Sequence, residues 1–132
     1  MSSIFTQIIR GDIPCERLLE DERYLAFMDI RPIQPGHSLV IPKQETDDLF
    51  DLDNTLLSGI LPFAKQVAAG IKAVVPCNRV GLMVAGLEVP HAHIHLVPIT
   101  TISQLNFEHA QAISPAQLRP LADQIRAKLA LP

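Results

Sequence analysis

The chain has 132 residues, the size of one domain, and no internal repeat or long polar linker divides it. A net charge of −3, with 11 scattered Lys and Arg, excludes a duplex nucleic-acid surface built on counterion release and assigns any bound phosphate to a local pocket. No secretion signal opens the chain, no window reaches the ~18 apolar residues of a membrane span, and Cys15 and Cys77 form no C-x-x-C pair, so the expectation is a reduced cytoplasmic protein without a membrane partner.

Ile4, Phe5, Ile8 and Ile9 recur at helical spacing, with Ser2 or Ser3 placed to cap the segment and Gly11 to stop it. Arg17 to Glu20 and Tyr24 to Ile30 read as two strands of a hairpin across the polar Asp21-Glu22-Arg23. Pro32 and Pro35-Gly36 mark a turn, after which His37 to Pro42 reads as a third strand with His37, Leu39 and Ile41 on one face.

From Asn54 to Val75 the apolar residues follow a helical period, with Asp53 or Asn54 as the cap and Pro76 as the stop. Pro62 lacks the N–H of an interior turn, which predicts a kink or a separate first piece. Arg79 to Ala85 and Pro90 to Pro98 are the fourth and fifth strands, and their short connection favours antiparallel pairing. The stretch from Ile99 to Ile113 has no period and reads as loop. Ser114-Pro-Ala-Gln117 has the form of a capping box before a last helix lined by Leu118, Leu121, Ala122, Ile125 and Leu129, although Pro120 could move its start a turn later. Strands on both sides of a central helix give an α+β layer, with helices against a mainly antiparallel sheet.

In Pro90-His-Ala-His-Ile-His-Leu-Val-Pro98, alternation aims His91, His93 and His95 to one side of a strand and Ala92, Ile94 and Leu96 to the other. Same-face neighbours stand roughly 6–7 Å apart at the backbone, so one phosphoryl group can reach two or three rings. Core packing does not call for three histidines in five positions. Two chemistries fit such a row: three neutral imidazoles with a water around zinc, or direct attack by one imidazole on phosphorus with a second ring releasing the leaving group. Alternation alone does not choose between them.

The run His91-Ala-His-Ile-His-Leu-Val97 resembles the signature of the histidine triad (HIT) family, and the resemblance continues upstream. Ile4 to Pro14, Glu20 to Pro32 and Pro35 to Lys43 look like successive family blocks in the right order, so most of residues 4 to 98 is covered. The resemblance implies a single domain over residues 1–132, built on a five-stranded antiparallel sheet with a main helix and a C-terminal helix. It also implies pairing into a ten-stranded sheet across a homodimer.

The implied activity is hydrolysis or transfer at the α-phosphorus of a nucleotide, with a purine nucleotide as partner and no cofactor. His93 would be the nucleophile and form a nucleotidyl-histidine, His95 would contact the phosphate and help the leaving group depart, His91 would orient the nucleophilic ring, and His37 would buttress the arrangement. Asp29 falls where the family places an acid on the ribose hydroxyls. Phe5, Phe27 and Ile30 match apolar positions around the base, and Val89 is counted with these nucleotide-binding residues.

The chain departs from the family pattern at several places, among them Met83 and Val84, where relatives often place an Asn. Leu87-Glu88-Val89-Pro90 replaces the Gln and Ser or Thr of many relatives before the triad, and an acid at Glu88 would repel a phosphate unless a cation or a proton intervened. Lys43-Gln-Glu45 lacks the histidine that often follows Ile-Pro-Lys. Ser3 and Thr6 stand where zinc-carrying members have cysteines, so no structural zinc and no metal ligand set is expected. Two other readings remain: a nucleotide-binding module whose hydrolysis is incidental, favoured by the Glu88 loop, and a His-ligated metal hydrolase, disfavoured because no acid lies within the triad run.

Overall fold

The computed structural model describes residues 2–129. The elements run α1 (Ile4–Arg10), β1 (Arg17–Glu20), β2 (Tyr24–Met28), β3 (Ser38–Pro42), α2 (Asn54–Val74), β4 (Arg79–Met83), β5 (Ile94–Ile99) and α3 (Pro115–Leu129). Short 3₁₀ turns occupy Leu49–Asp51, Ile102–Gln104 and Phe107–His109. The strands form one antiparallel sheet in the order β1-β2-β3-β5-β4, the α+β architecture expected.

Local chemistry fixes the helix ends. Ser3 caps α1 by accepting from the Thr6 N–H at 3.0 Å, and Gly11 ends it with φ at 87°, a left-handed geometry that a residue without Cβ adopts at little cost. Asp53 caps α2 through the Leu56 N–H at 2.9 Å. At α3 the box closes in both directions: Gln117 N–H donates to Ser114 Oγ at 3.2 Å and Ser114 N–H to Gln117 Oε1 at 3.0 Å.

Neither Pro62 nor Pro120 divides its helix. α2 runs unbroken from Asn54 to Val74 through Pro62, with no separate first piece, and α3 starts at Pro115 rather than a turn later. Pro62 and Pro120 both lie on exposed faces, so the carbonyl that each leaves unpaired can turn to water.

The sheet is buried on both sides. Tyr24, Ala26, Met28, Val40, Ile94 and Leu96 face α2 and α3, where Ile60, Val67, Ile71, Ala122 and Ile125 close the larger core. Fully burying a side chain such as Val67 or Ile71 stabilises by about 2 kcal/mol. On the opposite face Leu25, Phe27, Leu39 and Ile41 pack under Phe5 and Ile8 of α1. The register sets Leu39 opposite His95, so the odd-numbered residues of β3 and β5 share the α1 side.

Strand ends differ from the sequence pattern for identifiable reasons. β2 stops at Met28 because Asp29 folds its side chain back, Oδ1 accepting from Arg31 N–H at 2.8 Å. β4 stops at Met83, two residues short of Ala85. β5 begins at Ile94, not at Pro90, so His91 and His93 lie outside the strand ladder. Ala92 N–H donates instead to Thr46 O at 2.6 Å, where β3 has already ended at Pro42. Among the described residues, no helix is long and apolar enough to cross a membrane.

Candidate active site

Gly36, at φ +94°, turns the chain into β3 and delivers His37 to the α1 side of the sheet, behind His95. α1 lies across the same side with Phe5 edge-on to His93, ring centroids 5.0 Å apart. Between them opens a cavity of about 370 Å³. Its floor carries His93 and His95, one wall is Ile4, Phe5 and Leu39, and the rim carries Asp29, Ile30 and Arg31. Residues Ala85–Val89 and, from the segment after β5, Phe107 and Ala110 complete the lining. A smaller hollow of about 270 Å³ near Asn78, Arg79 and Thr100–Ile102 has no histidine or carboxylate in its wall.

The four histidines form two hydrogen-bonded lines whose proton positions follow from their partners. A carbonyl can only accept, so His93 Nδ1, 2.7 Å from His91 O, carries the proton and leaves Nε2 with a bare lone pair. Ile33 N–H donates to His37 Nδ1 at 2.9 Å, which leaves the proton on His37 Nε2. That atom lies 3.0 Å from His95 Nδ1, so the proton of neutral His95 sits on Nε2. The cavity therefore receives one lone pair and one N–H from adjacent rings whose centroids are 5.0 Å apart.

Burial favours the neutral form of His37, His91 and His95. Desolvation lowers His37 to about 4, and His95 to about 4 with help from neighbouring His37 and His93 against the opposing pull of Asp29. His91 is also lowered, chiefly by burial. A histidine with a depressed folded pKa binds fewer protons folded than unfolded, so its stabilisation is complete above about 6.5 and is lost as pH falls toward about 4. For His37 alone the loss is on the order of 3 kcal/mol. Thermal melts are expected to give a flat Tm above neutrality and a fall across the acid window. A Tm unchanged down to pH ~4 would contradict the buried neutral relay.

Asp29 Oδ2 lies 3.4 Å from His37 Nε2 and 4.0 Å from His95 Nδ1, and these three ligand-type atoms all fall within 4.8 Å of one another. Such a trio has metal-site dimensions. His37 Nε2 carries a proton, however, because Nδ1 already accepts from Ile33, so the trio reads as a hydrogen-bond relay rather than a set of open lone pairs.

Several expected site residues occupy other places. His91 does not reach the cavity: its fully buried ring is enclosed by Phe5, with Nε2 on Pro42 O at 2.7 Å and Nδ1 on Ser3 Oγ at 2.8 Å. Its contact with the ring of His93 is made by its backbone carbonyl. Three rings in one shared cleft thus become two, because the chain at residues 91 to 93 leaves the pleat that alternation assumes. Phe27 lies behind Phe5, ring centroids 5.6 Å apart, and belongs to the core. His37 stands one layer below the lining, whereas Asp29, Phe5, Ile30 and Val89 all line the cavity.

Leu39, Arg31, Phe107 and Ala110 line it without having been expected to. Phe107 packs edge-on to His95 at 4.9 Å from a stretch read as plain loop. That segment is held beside residues 30 to 32 by Ile113 N–H on Ile30 O at 2.9 Å. An aromatic residue within a polar, aperiodic stretch was the available signal.

A family model described as the HIT domain matches residues 10–102. An adenosine 5'-monophosphoramidase from Schizosaccharomyces pombe is 36% identical over 140 residues, spanning 98% of this chain and 99% of that protein. One from Saccharomyces cerevisiae is 37% identical over 99 residues, spanning 72% of this chain and 61% of that protein. Among solved structures, a HIT-like protein involved in cell-cycle regulation from Bartonella henselae superposes with a TM-score of 0.85 at 31% identity over 96% of each chain. A zinc-bound histidine triad family protein from Mycobacterium smegmatis does so with 0.82 at 30% identity, over 98% of this chain and 94% of that one.

Proposed function

The chain belongs to the histidine triad (HIT) family, and on that premise we propose that it is a phosphoramidase or phosphoanhydride hydrolase acting at the α-phosphorus of a nucleotide. The observation that carries this reading is the pairing of a bare His93 Nε2 with a protonated His95 Nε2 at one cavity floor. The yeast relatives' named activity supports a phosphoramidate as the substrate class.

In this scheme His93 Nε2 forms the bond to phosphorus while the bond from phosphorus to the leaving nitrogen or oxygen breaks. The positive charge that develops on the ring is met at Nδ1–H by the His91 carbonyl. His95 Nε2–H donates a hydrogen bond to the phosphoryl group or leaving atom. Water then displaces the nucleotide from His93. The proton taken up by the leaving atom in the first half is matched by the one released from water in the second, so His93 returns to its starting form. Asp29 would accept from the ribose hydroxyls, and Phe5, Ile30, Leu39 and Val89 would enclose a purine.

Turnover of adenosine and guanosine phosphoramidates, dinucleoside polyphosphates and sugar nucleotides tests this reading. Release of nucleoside monophosphate is expected, fastest from the phosphoramidates. Very slow turnover of every substrate beside tight monophosphate binding would instead favour a nucleotide-binding module. The exposed Glu88 carboxylate in the cavity lining is the feature that favours that second reading.

The homodimer is likewise a proposal. β4 is an edge strand with Leu82 at 47% exposure, followed by Val84 at 40%. A second copy meeting this edge would extend the sheet to ten strands and cover both side chains. Sedimentation equilibrium at micromolar concentration is expected to give twice the chain mass, and a monomer there would contradict the pairing.

A further inference from the structure

His91 and His93 lie outside the β5 ladder, so sheet pairing does not fix the direction of the His91 carbonyl on which the His93 tautomer depends. One hold is the Ala92 N–H of the same peptide plane, bonded to Thr46 O at 2.6 Å, and the other is the His91 ring. Both nitrogens of the buried His91 ring are engaged: Nε2 donates to Pro42 O at 2.7 Å, which leaves Nδ1 to accept from Ser3 Oγ at 2.8 Å. The Ser3 hydroxyl has two acceptors in reach, His91 Nδ1 at 2.8 Å and Thr6 Oγ1 at 3.2 Å, and the shorter contact is to the bare ring nitrogen. Ser3 Oγ accepts from Thr6 N–H at 3.0 Å, and the Thr6 hydroxyl spends its proton on Glu45 Oε1 at 2.6 Å. The same Glu45 oxygen also accepts from Ser3 N–H at 2.6 Å. These bonds hold the Glu45 carboxyl down to about 2, so it remains an acceptor at any working pH.

We propose that Ser3, Thr6 and Glu45 act as a positioning clamp for the known family chemistry, fixing the His91 ring and, through the His91 carbonyl, the lone pair of His93. The clamp joins the start of α1 to the loop after β3, positions 42 residues apart, and meets the triad 88 residues beyond Ser3. None of the three residues touches the reacting atoms. They act through His91, so they are positioning residues. Misplacement of an attacking atom by a fraction of an ångström is enough to slow chemistry without weakening substrate binding. The inference rests on His93 being the nucleophile.

Ser3→Ala is expected to lower kcat for a nucleoside phosphoramidate about tenfold with KM changed less than about twofold, and Ser3→Thr, which restores a hydroxyl, to recover most of it. Glu45→Ala, on the exposed side of the clamp, is expected to give a smaller loss of the same kind, and Glu45→Gln, which keeps an acceptor oxygen, to recover it. Arg10→Ala removes another α1 contact, Arg10 Nη1 to Ser2 Oγ at 3.0 Å, and is expected to leave kcat unchanged. Imidazole ¹⁵N NMR of the native protein should give His91 as the Nε2–H tautomer, and Ser3→Ala should mix its tautomers.

Native kcat in both Ser3→Ala and Glu45→Ala, or losses that merely track the folded fraction, would overturn the clamp. Should Ser3→Ala fail to fold, the Glu45 pair decides alone. Activity surviving in His93→Ala would instead overturn the nucleophile, so the two failures are distinguishable.

Discussion

His93→Ala is expected to lose at least ~10⁴-fold in kcat/KM while remaining folded. The covalent route has no substitute for the His93 lone pair. His95 offers the cavity an N–H rather than an acceptor, because its Nδ1 is taken by His37, and His91 is sealed behind Phe5. The stability cost is small by comparison. The substitution removes one hydrogen bond to the His91 carbonyl and ring packing against Phe5 at a cavity wall, together worth about 1–2 kcal/mol. Circular dichroism and thermal melts beside steady-state kinetics check this, and a variant that keeps more than a hundredth of native activity would exclude His93 as the nucleophile.

The second large effect falls on a residue that never meets substrate in this account. His37→Ala removes a fully buried ring, orphans the Ile33 N–H that donates to it at 2.9 Å, and frees the His95 tautomer set at 3.0 Å. The buried orphan donor and the cavity together cost about 3 kcal/mol, and the loss of an oriented His95 N–H lowers kcat by ~10²-fold. His37→Gln offers an amide oxygen to Ile33 and an amide N–H to His95, so it is expected to recover part of both. It also removes one titrating ring, and the fall in Tm between pH 6.5 and about 4 should become shallower than in the native protein. Equal destabilisation in the alanine and glutamine variants would argue that His37 only fills space.

Much of this arrangement is legible in the sequence because it is local. The caps at Ser3, Asp53 and Ser114 follow from short-range bonding. The shared face of His37, Leu39 and Ile41 follows from strand alternation, whereas the register that sets Leu39 opposite His95 does not. The displacement of His91 was not legible. It depends on where β3 ends, on the pairing of Ala92 with Thr46, and on two ring partners supplied by Ser3 and Pro42. Phe27 had the right chemistry for a base pocket, but Phe5 occupies the space in front of it. Phe107 and Ala110 reach the cavity only because their aperiodic segment is tied to residues 30 to 32, a contact made across most of the chain. The tautomers, on which the chemistry turns, depend on backbone carbonyls and amides that no side-chain pattern encodes.

Rapid quench of native enzyme with nucleotide phosphoramidate labelled at the α-phosphorus, followed by peptide mapping, tests the central claim most directly. A transient, acid-labile and base-stable nucleotidyl group on His93, formed and lost at rates compatible with turnover, is the predicted result. Label on His95 or on a carboxylate, or full turnover with no protein-bound nucleotide at any time, would contradict it.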